Sequence, residues 1–467
     1  MQVRGSAGYR RIDLPGTGRR RELSTADSLP RGSHKDKTLL QRALLTVCGM
    51  TAGLLVATMA SPVAAPAAGA SRSGCAHSTS DAVVAWNGTA SAALGTDAAL
   101  PAPVMAVGMA YVQAAVYNAV EGIERAHPRY RWHARGPRCA STAAAVAAAA
   151  RGVLLHYFPI SAARVESAYA DSLASVPDGA AKDDGVAYGE RAANHLLAQR
   201  ADDGWLGTTV FDLAPTAGIW RPTPPLFAAY LAPWLGTMTP FVLRRADQFR
   251  PSGPPRLTSA TYTRDFQEVA SLGSATSTTR TPEQTEIALF FAGNLTSQLQ
   301  GAYRDHVVRH GMDGADAAQY LAVANFAGAD AVMAAWDAKL HFGFWRPVTA
   351  IQLGDTDGNP DTQADPAWKP LIVTPPFPDY LSGHTTVIGS VTAALTGLEG
   401  TRSIDLNLSS TVTATTRHYA TAQALRQEGI GARIWGGIHF RTADETGDRV
   451  GRQIGTAIVD QMCHGRG

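Results

Sequence analysis

The stretch FPDYLSGHTTVIGSVTAAL, residues 377–395, opens as a proline-bearing aromatic turn and closes as an apolar run. Val387, Ile388, Val391, Ala394, Leu395 and Leu398 recur at three and four residues, the spacing of one helix face. Ser382 stands directly before that run, where a serine side chain commonly caps the first free amides. Gly383 lets the backbone come close to a ligand. The amides of a helix start, together with its positive dipole end, favour an oxyanion. His384 lies in the first turn, within reach of whatever binds there. The stretch therefore predicts a helix whose mouth faces an anion, and such an anion calls for cations from elsewhere in the chain.

Two further stretches carry them. In KLHFGFWRP, residues 339–347, Lys339 sits between apolar Ala331–Trp336 and Phe342–Trp345, and it is one of only three lysines after residue 70. Arg346 follows seven residues later, about 700° round a helix, so both cations are expected on one helical face, two turns apart. Pro347 disfavours helix at the residue before it, which puts the Arg346 guanidinium at a helix exit. In ARIWGGIHF, residues 432–440, Arg433 and His439 flank Gly436-Gly437, a spacing that suggests a bent segment. A helix is expected after it, with Val450, Ile454, Ile458 and Met462 on one face. Together the three stretches supply one Lys, two Arg, helix-start amides and two His. Arginine forks match tetrahedral oxyanions bidentately, while lysine acts as a point charge. Of two histidines, one can bond to the central atom while the other moves protons.

The remaining chain bounds the setting. Residues 1–70 form a basic head, an apolar run from Ala43 to Ala60 and a small-residue exit, the order of an export signal, so the protein is expected to be secreted. That segment holds 10 of the 41 Lys+Arg and 4 of the 39 Asp+Glu, leaving 31 basic against 35 acidic residues, a net charge near −4. Nothing in that balance suggests a nucleic-acid surface, and no later stretch is expected to reach the run of about 18 apolar residues that a membrane span needs. Cys75, Cys139 and Cys463 remain after the signal; two could pair outside the cell, and the sequence does not say which. Met105, Met109, Val112, Val116 and Val120 have helical spacing, as do Ala143–Leu155 and Ala192–Leu197. A proline-rich connector spans about 204–260, and Pro282 marks a good helix start. The expected fold class is all-α: an N-terminal helical half over 71–250, then a C-terminal helical domain over 251–467 that carries the chemistry. Asp355–Asp361 lacks the glycine and glutamate of an EF-hand loop and is expected to be a solvated turn. Oligomeric state is not legible.

In order and internal spacing the three stretches resemble the signature of the vanadium-dependent haloperoxidases and type 2 phosphatidic-acid phosphatases (PAP2). The likeness is tight over roughly 330–460 and looser back to Trp86-Asn87 and QAAVYNAVEGI, residues 113–123, as in secreted bacterial haloperoxidase-like proteins. The resemblance implies helix bundles around a vanadate cofactor. Lys339, Arg346, Ser382, Gly383 and Arg433 would hold its equatorial oxygens, His439 would be the apical ligand to vanadium, and His384 the acid–base residue. It further implies halide oxidation by hydrogen peroxide, ending in halogenation of a small organic substrate, with Trp336 and Phe377 lining a halide pocket. In the phosphatase branch His439 would instead be the nucleophile that forms a phosphohistidine. An inactive oxyanion-binding relative is the third reading. The chain departs from the signature at Leu381, where Pro precedes Ser-Gly-His, at Ala432, where Ser precedes Arg, and at Ala443. There the family Asp, four residues after the ligand histidine, is displaced to Asp444, which leaves the partner of His439 open.

Overall fold

The computed structural model describes residues 80–464; the expected export signal over 1–70 lies outside them. Helical patterning is realised as α1 (Asp81–Ala92), α2 (Ala102–Ile123), α3 (Thr142–Tyr157), α4 (Ala162–Ala174) and α5 (Ala180–Gln199). After the connector come α6 (Ala260–Leu272), α7 (Pro282–Phe290), α8 (Leu295–Arg309), α9 (Gly314–Phe342) and α10 (Pro347–Gln352). The chain closes with α11 (Gly383–Glu399), α12 (Ala422–Trp435) and α13 (Arg441–Val459). The α7 start is as its residues dictate: Thr281 and Gln284 form a reciprocal capping box with Pro282 in the first turn.

Helix α2 is buried from Val104 to Ile123, so it lies at the centre, packed on α3 and α9. It is long and apolar enough to cross a membrane by composition, contrary to expectation, but 94% of its apolar 18-residue window is buried within the protein. The described residues, 80–464, fall within one compact unit. A buried amide relay joins α1 to α8 and α9: Asn87 Nδ2 donates to Gln300 Oε1 at 2.8 Å, and Gln300 Nε2 donates to Asn325 Oδ1 at 2.7 Å. The connector is pinned to α9 by Asp330, whose carboxylate accepts the backbone N–H groups of Phe241, Val242 and Leu243.

Sequence patterning missed one element. Strands β1 (Ser403–Ser410) and β2 (Thr415–Thr421) pair antiparallel, with Ile404, Leu406, Leu408 and Tyr419 buried. The turn at 355–361 exposes Asp355, Thr356, Gly358, Pro360 and Asp361, as expected of a solvated turn, but Asp357 and Asn359 are buried, and Asn359 Nδ2 donates to Leu257 O at 2.7 Å, so the turn also anchors the connector.

Helices α11 and α13 cross closely because glycines recur every fourth residue at 447, 451 and 455. A Cβ on Gly451 would lie 2.2 Å from Thr386 O, and one on Gly455 would lie 2.1 Å from Ser390 O. Only bare backbone permits that approach, and it sets the α11 mouth against the segment before α13.

Candidate functional site

The site is assembled where three chain turns meet. Lys339 lies in the last turn of α9, which Gly343 ends in the left-handed region at φ 57°. Arg346 is not on that helix, as the seven-residue spacing suggested. It is extended, with ψ 154°, and stands before α10, at a helix entry rather than an exit. The Gly343 reversal brings the two cations together, and Pro347 supplies the extended backbone at Arg346. Arg433 ends α12, Gly436 follows, and Gly437 at φ 76° turns the chain so that His439 points back beside it.

Lys339 and Arg346 are fully buried and Arg433 nearly so. Lys339 Nζ donates to the carbonyls of Pro378 at 2.6 Å and Asp379 at 3.0 Å. Arg346 donates to Phe377 O at 2.7 Å and Ile438 O at 2.5 Å. Arg433 Nη2 donates to Phe291 O at 2.7 Å. These carbonyls aim the cations without neutralising them. Burial pushes Lys339 well below its ordinary range, with Arg346 repulsion adding to it. Burial likewise brings Arg346 and Arg433 down to about 10 each.

His439 is held from both sides. Its Nε2 lies 3.0 Å from Arg346 Nη1, and its Nδ1 lies 2.8 Å from Asp379 Oδ1. The guanidinium can only donate, so Nε2 presents a lone pair and Nδ1 carries the proton given to Asp379. Burial, followed by Arg346 and Lys339, drives the imidazole well below its usual range and keeps it neutral. The partner left open by the displaced family aspartate is thus Asp379, inside the stretch that opened the reading. Sequence reasoning missed it, because a residue sixty positions away cannot be paired by spacing.

His384 Nε2 lies 3.4 Å from Arg433 Nη1, and burial with nearby cations also keeps its ring neutral. Unlike His439, His384 is only half buried and lines a small cavity with Trp336, Phe377, Gly383, Pro103 and Val387. Trp336 and Phe377 meet at 4.7 Å between ring centroids, and Lys339 Nζ lies 4.9 Å from the Phe377 ring. Ser382 occupies the position before α11 but makes no side-chain cap, contrary to expectation; its buried hydroxyl faces Asp444 instead. Asp444 is fully buried beside Ser382 and Arg433, and burial raises its carboxyl well above the carboxylate range.

Arg346 Nη2 and Arg433 Nε are buried donors with no hydrogen-bond partner among the described residues, and Ser382 Oγ beside them faces the buried Asp444 carboxyl. Buried donors normally find acceptors. A tetrahedral oxyanion such as vanadate or phosphate would supply acceptors for both guanidinium donors at once, so the residues present fit that group.

Of the cysteines, Cys139 is disulfide-bonded and Cys463 carries a free thiol.

Residues 319–464 match the family model of the VCPO second helical-bundle domain. The vanadium chloroperoxidase of Curvularia inaequalis is 27% identical over 35% of this chain. The chain spans about a third of the length of that relative, 32%. Among solved structures, a bacterial vanadium-dependent iodoperoxidase is 24% identical with a TM-score of 0.70, covering 83% of this chain and 97% of its own. The holo form of a bacterial vanadium-dependent chloroperoxidase is 18% identical with a TM-score of 0.61, covering 76% and 91%. The mostly helical fold is therefore that of the vanadium haloperoxidases, and the resemblance read from the three stretches holds.

Proposed function

From a haloperoxidase-type fold and a second helical bundle of the VCPO type, we propose that this protein binds vanadate and oxidises halide with hydrogen peroxide to hypohalous acid. The observation that carries the reading is the juxtaposition of the Lys339–Arg346–Arg433 cradle with the Trp336–Phe377 cavity at His384. The cradle holds an oxyanion, and the aromatic wall offers a polarisable, weakly hydrated place for a halide beside it.

When bound, vanadate would supply Lewis-acid activation of hydrogen peroxide without changing oxidation state. The chain would do the rest. His439 would direct its Nε2 lone pair at the vanadium, oriented through Nδ1 by Asp379. Lys339, Arg346, Arg433, Ser382 and the Gly383 amide would hold the oxygens. His384, neutral and at the cavity wall, would take a proton from hydrogen peroxide as it enters and return one to the departing oxygen. Lys339 would donate its remaining proton to the oxygen that faces the halide, drawing electron density from it. A small organic compound at the cavity mouth would then be halogenated. We extend the reading to export, from the order of charge and apolarity over residues 1–70.

Phosphomonoester hydrolysis is the second reading, since the His439–Asp379 pair would equally suit a histidine nucleophile. One experiment decides between them: the purified protein, with and without added vanadate, assayed for peroxide-dependent bromination and for aryl-phosphate hydrolysis. Vanadate-dependent bromination is the expected result. Aryl-phosphate turnover that vanadate inhibits, with no bromination, would replace the first reading by the second.

A further inference from the structure

Where α2 ends, the chain reads ERAHPRYRWHARGPR over residues 124–138: five arginines and two histidines against one acid, in a protein whose remaining charge is slightly acidic. The fold wraps this segment around a cleft of about 590 Å³ whose wall is formed by Arg125, Arg129, Arg131 and Arg135, over a floor of Glu121 and Met462. The volume is that of a small-molecule site. Ala102 and Pro103, at the other end of α2, border the His384 cavity. Nineteen residues of helix put the two sites about 28 Å apart at about 1.5 Å per residue.

Packing accounts for part of this cluster only. Arg125 follows the C-terminus of α2, where a cation offsets the dipole, and its Nη2 donates to Gly136 O at 3.0 Å. Arg129 Nη1 donates to His133 O at 2.5 Å and Ala134 O at 2.9 Å, which folds the loop around it. Carbonyls aim these guanidinium groups but leave their charge in place. None of the four arginines forms an ion pair among the described residues, whereas His127 is held by Asp316 at 3.0 Å. Arg131 and Arg135 are exposed; Arg131 lies over the Tyr130 ring at 5.5 Å, and among the described residues neither forms an ion pair. Two buried polar atoms at the cleft, Arg125 Nε and Glu121 Oε1, have no hydrogen-bond partner among the described residues.

Glu121 does not spoil the cleft for an anion. Its Oε2 accepts the His127 amide at 2.7 Å, and burial raises the carboxyl to about 7, so near neutrality it stands partly protonated and able to donate. The loop is also tied at its far end by the disulfide-bonded Cys139, which holds the arginines in place before anything binds.

We propose that this cleft is a second binding site, for a small multivalent oxyanion of the phosphate or polycarboxylate class, independent of the catalytic cradle. Forked donors along a concave cationic wall match an anion with several oxygens, and the cleft is too small to hold a folded partner.

The test is calorimetric titration of the full chain with inorganic pyrophosphate and, separately, with citrate. Because the cradle also takes oxyanions, two variants are compared: Arg131→Gln/Arg135→Gln in the cleft and Lys339→Met in the cradle. The two arginines are exposed, so their loss leaves the fold intact. The expected result is a binding event, for at least one probe, that weakens at least tenfold in the cleft double variant and persists in Lys339→Met. It should also weaken as sodium chloride rises, with a shallower slope in the double variant. The stronger of the two probes names the ligand class. No binding of either probe, binding unmoved by the double variant, or binding indifferent to salt overturns the proposal. None of these outcomes depends on whether the cradle performs halide oxidation.

Discussion

Three buried cations, two neutral histidines and two buried aspartates meet in this site, and three of these groups, Asp379, His439 and Lys339, carry predictions of their own. Asp379 binds the far nitrogen of His439 at 2.8 Å. Losing such a partner typically costs 10–100-fold in metal affinity. Asp379→Asn is expected to weaken vanadate binding by about that factor in a calorimetric titration, while His439→Ala abolishes it. Stoichiometric vanadate in the alanine variant would remove His439 from the proposed ligand set. Lys339 is aimed by two carbonyls, with its third proton free for an anion. Lys339→Met should lower vanadate affinity by about 1.5–3 kcal/mol, one charge-assisted hydrogen bond. Halide oxidation at saturating vanadate should fall further, because the proposed contact strengthens in the transition state. Equal rates for variant and wild type would reduce Lys339 to a neutralising charge and sink the proton-donor role.

At the scale of elements, the α11–α13 crossing carries the geometry. Gly451→Ala forces a methyl into the Thr386 carbonyl, 2.2 Å away, so the helices must part. Overpacking of this kind costs about 1–3 kcal/mol, and the separation also moves His384 relative to His439. The expected outcome is a lower denaturation midpoint together with weaker vanadate binding. Gly301 on α8 is the control: a Cβ there meets nothing within 4 Å, so Gly301→Ala should be neutral or stabilising by up to about 1 kcal/mol. A Gly451→Ala protein as stable as wild type would show that the crossing can relax. The hairpin β1–β2 packs its buried face chiefly on α8, with further contacts to α11 and α12.

The described residues share one core. Helix α2, buried on every side, packs on α9, and Asn87 is joined to Gln300 and Arg304 across more than two hundred residues. A fragment of residues 251–467 would expose the α2-facing side of α9 and leave that relay open. It is expected to lack a cooperative thermal transition and to bind a hydrophobic dye; a sharp transition near that of the full chain would mean that the C-terminal part folds by itself. Stability should also depend on pH through Glu121. Its folded value of about 7 lies above the ordinary 4.5, so the folded state holds its proton more tightly. The corresponding stability is fully present below about pH 4.5 and is lost as pH rises through about 7, a span worth on the order of 3 kcal/mol. Glu121→Gln should flatten that dependence, so that its melting temperature gains on wild type steadily from pH 5 to pH 8. Parallel melting curves would remove Glu121 as the cause.

Much of the protein was legible from residues alone. Helical periodicity located α2, α3, α5, α11 and α13, because the apolar face of a helix repeats locally and every such face had to be buried. Lys339, Arg346, Ser382, Gly383, His384, Arg433 and His439 stood out because cations and histidines beside glycines and prolines are costly in apolar stretches without a shared counter-ion. Tertiary structure decided what local spacing cannot carry. The Lys339–Arg346 spacing suggested one helix face, but a left-handed Gly343 ends the helix and brings the two together by reversing the chain. Ser382 was expected to cap α11, yet its hydroxyl turns into the buried site. Asp379 and His439 pair across sixty residues, a contact that no periodicity encodes. The sequence determined which side chains could form a cradle; the close α11–α13 crossing and the glycine turns decided which of them meet, because burial forces unpaired donors toward a common point and only the folded backbone sets where that point lies.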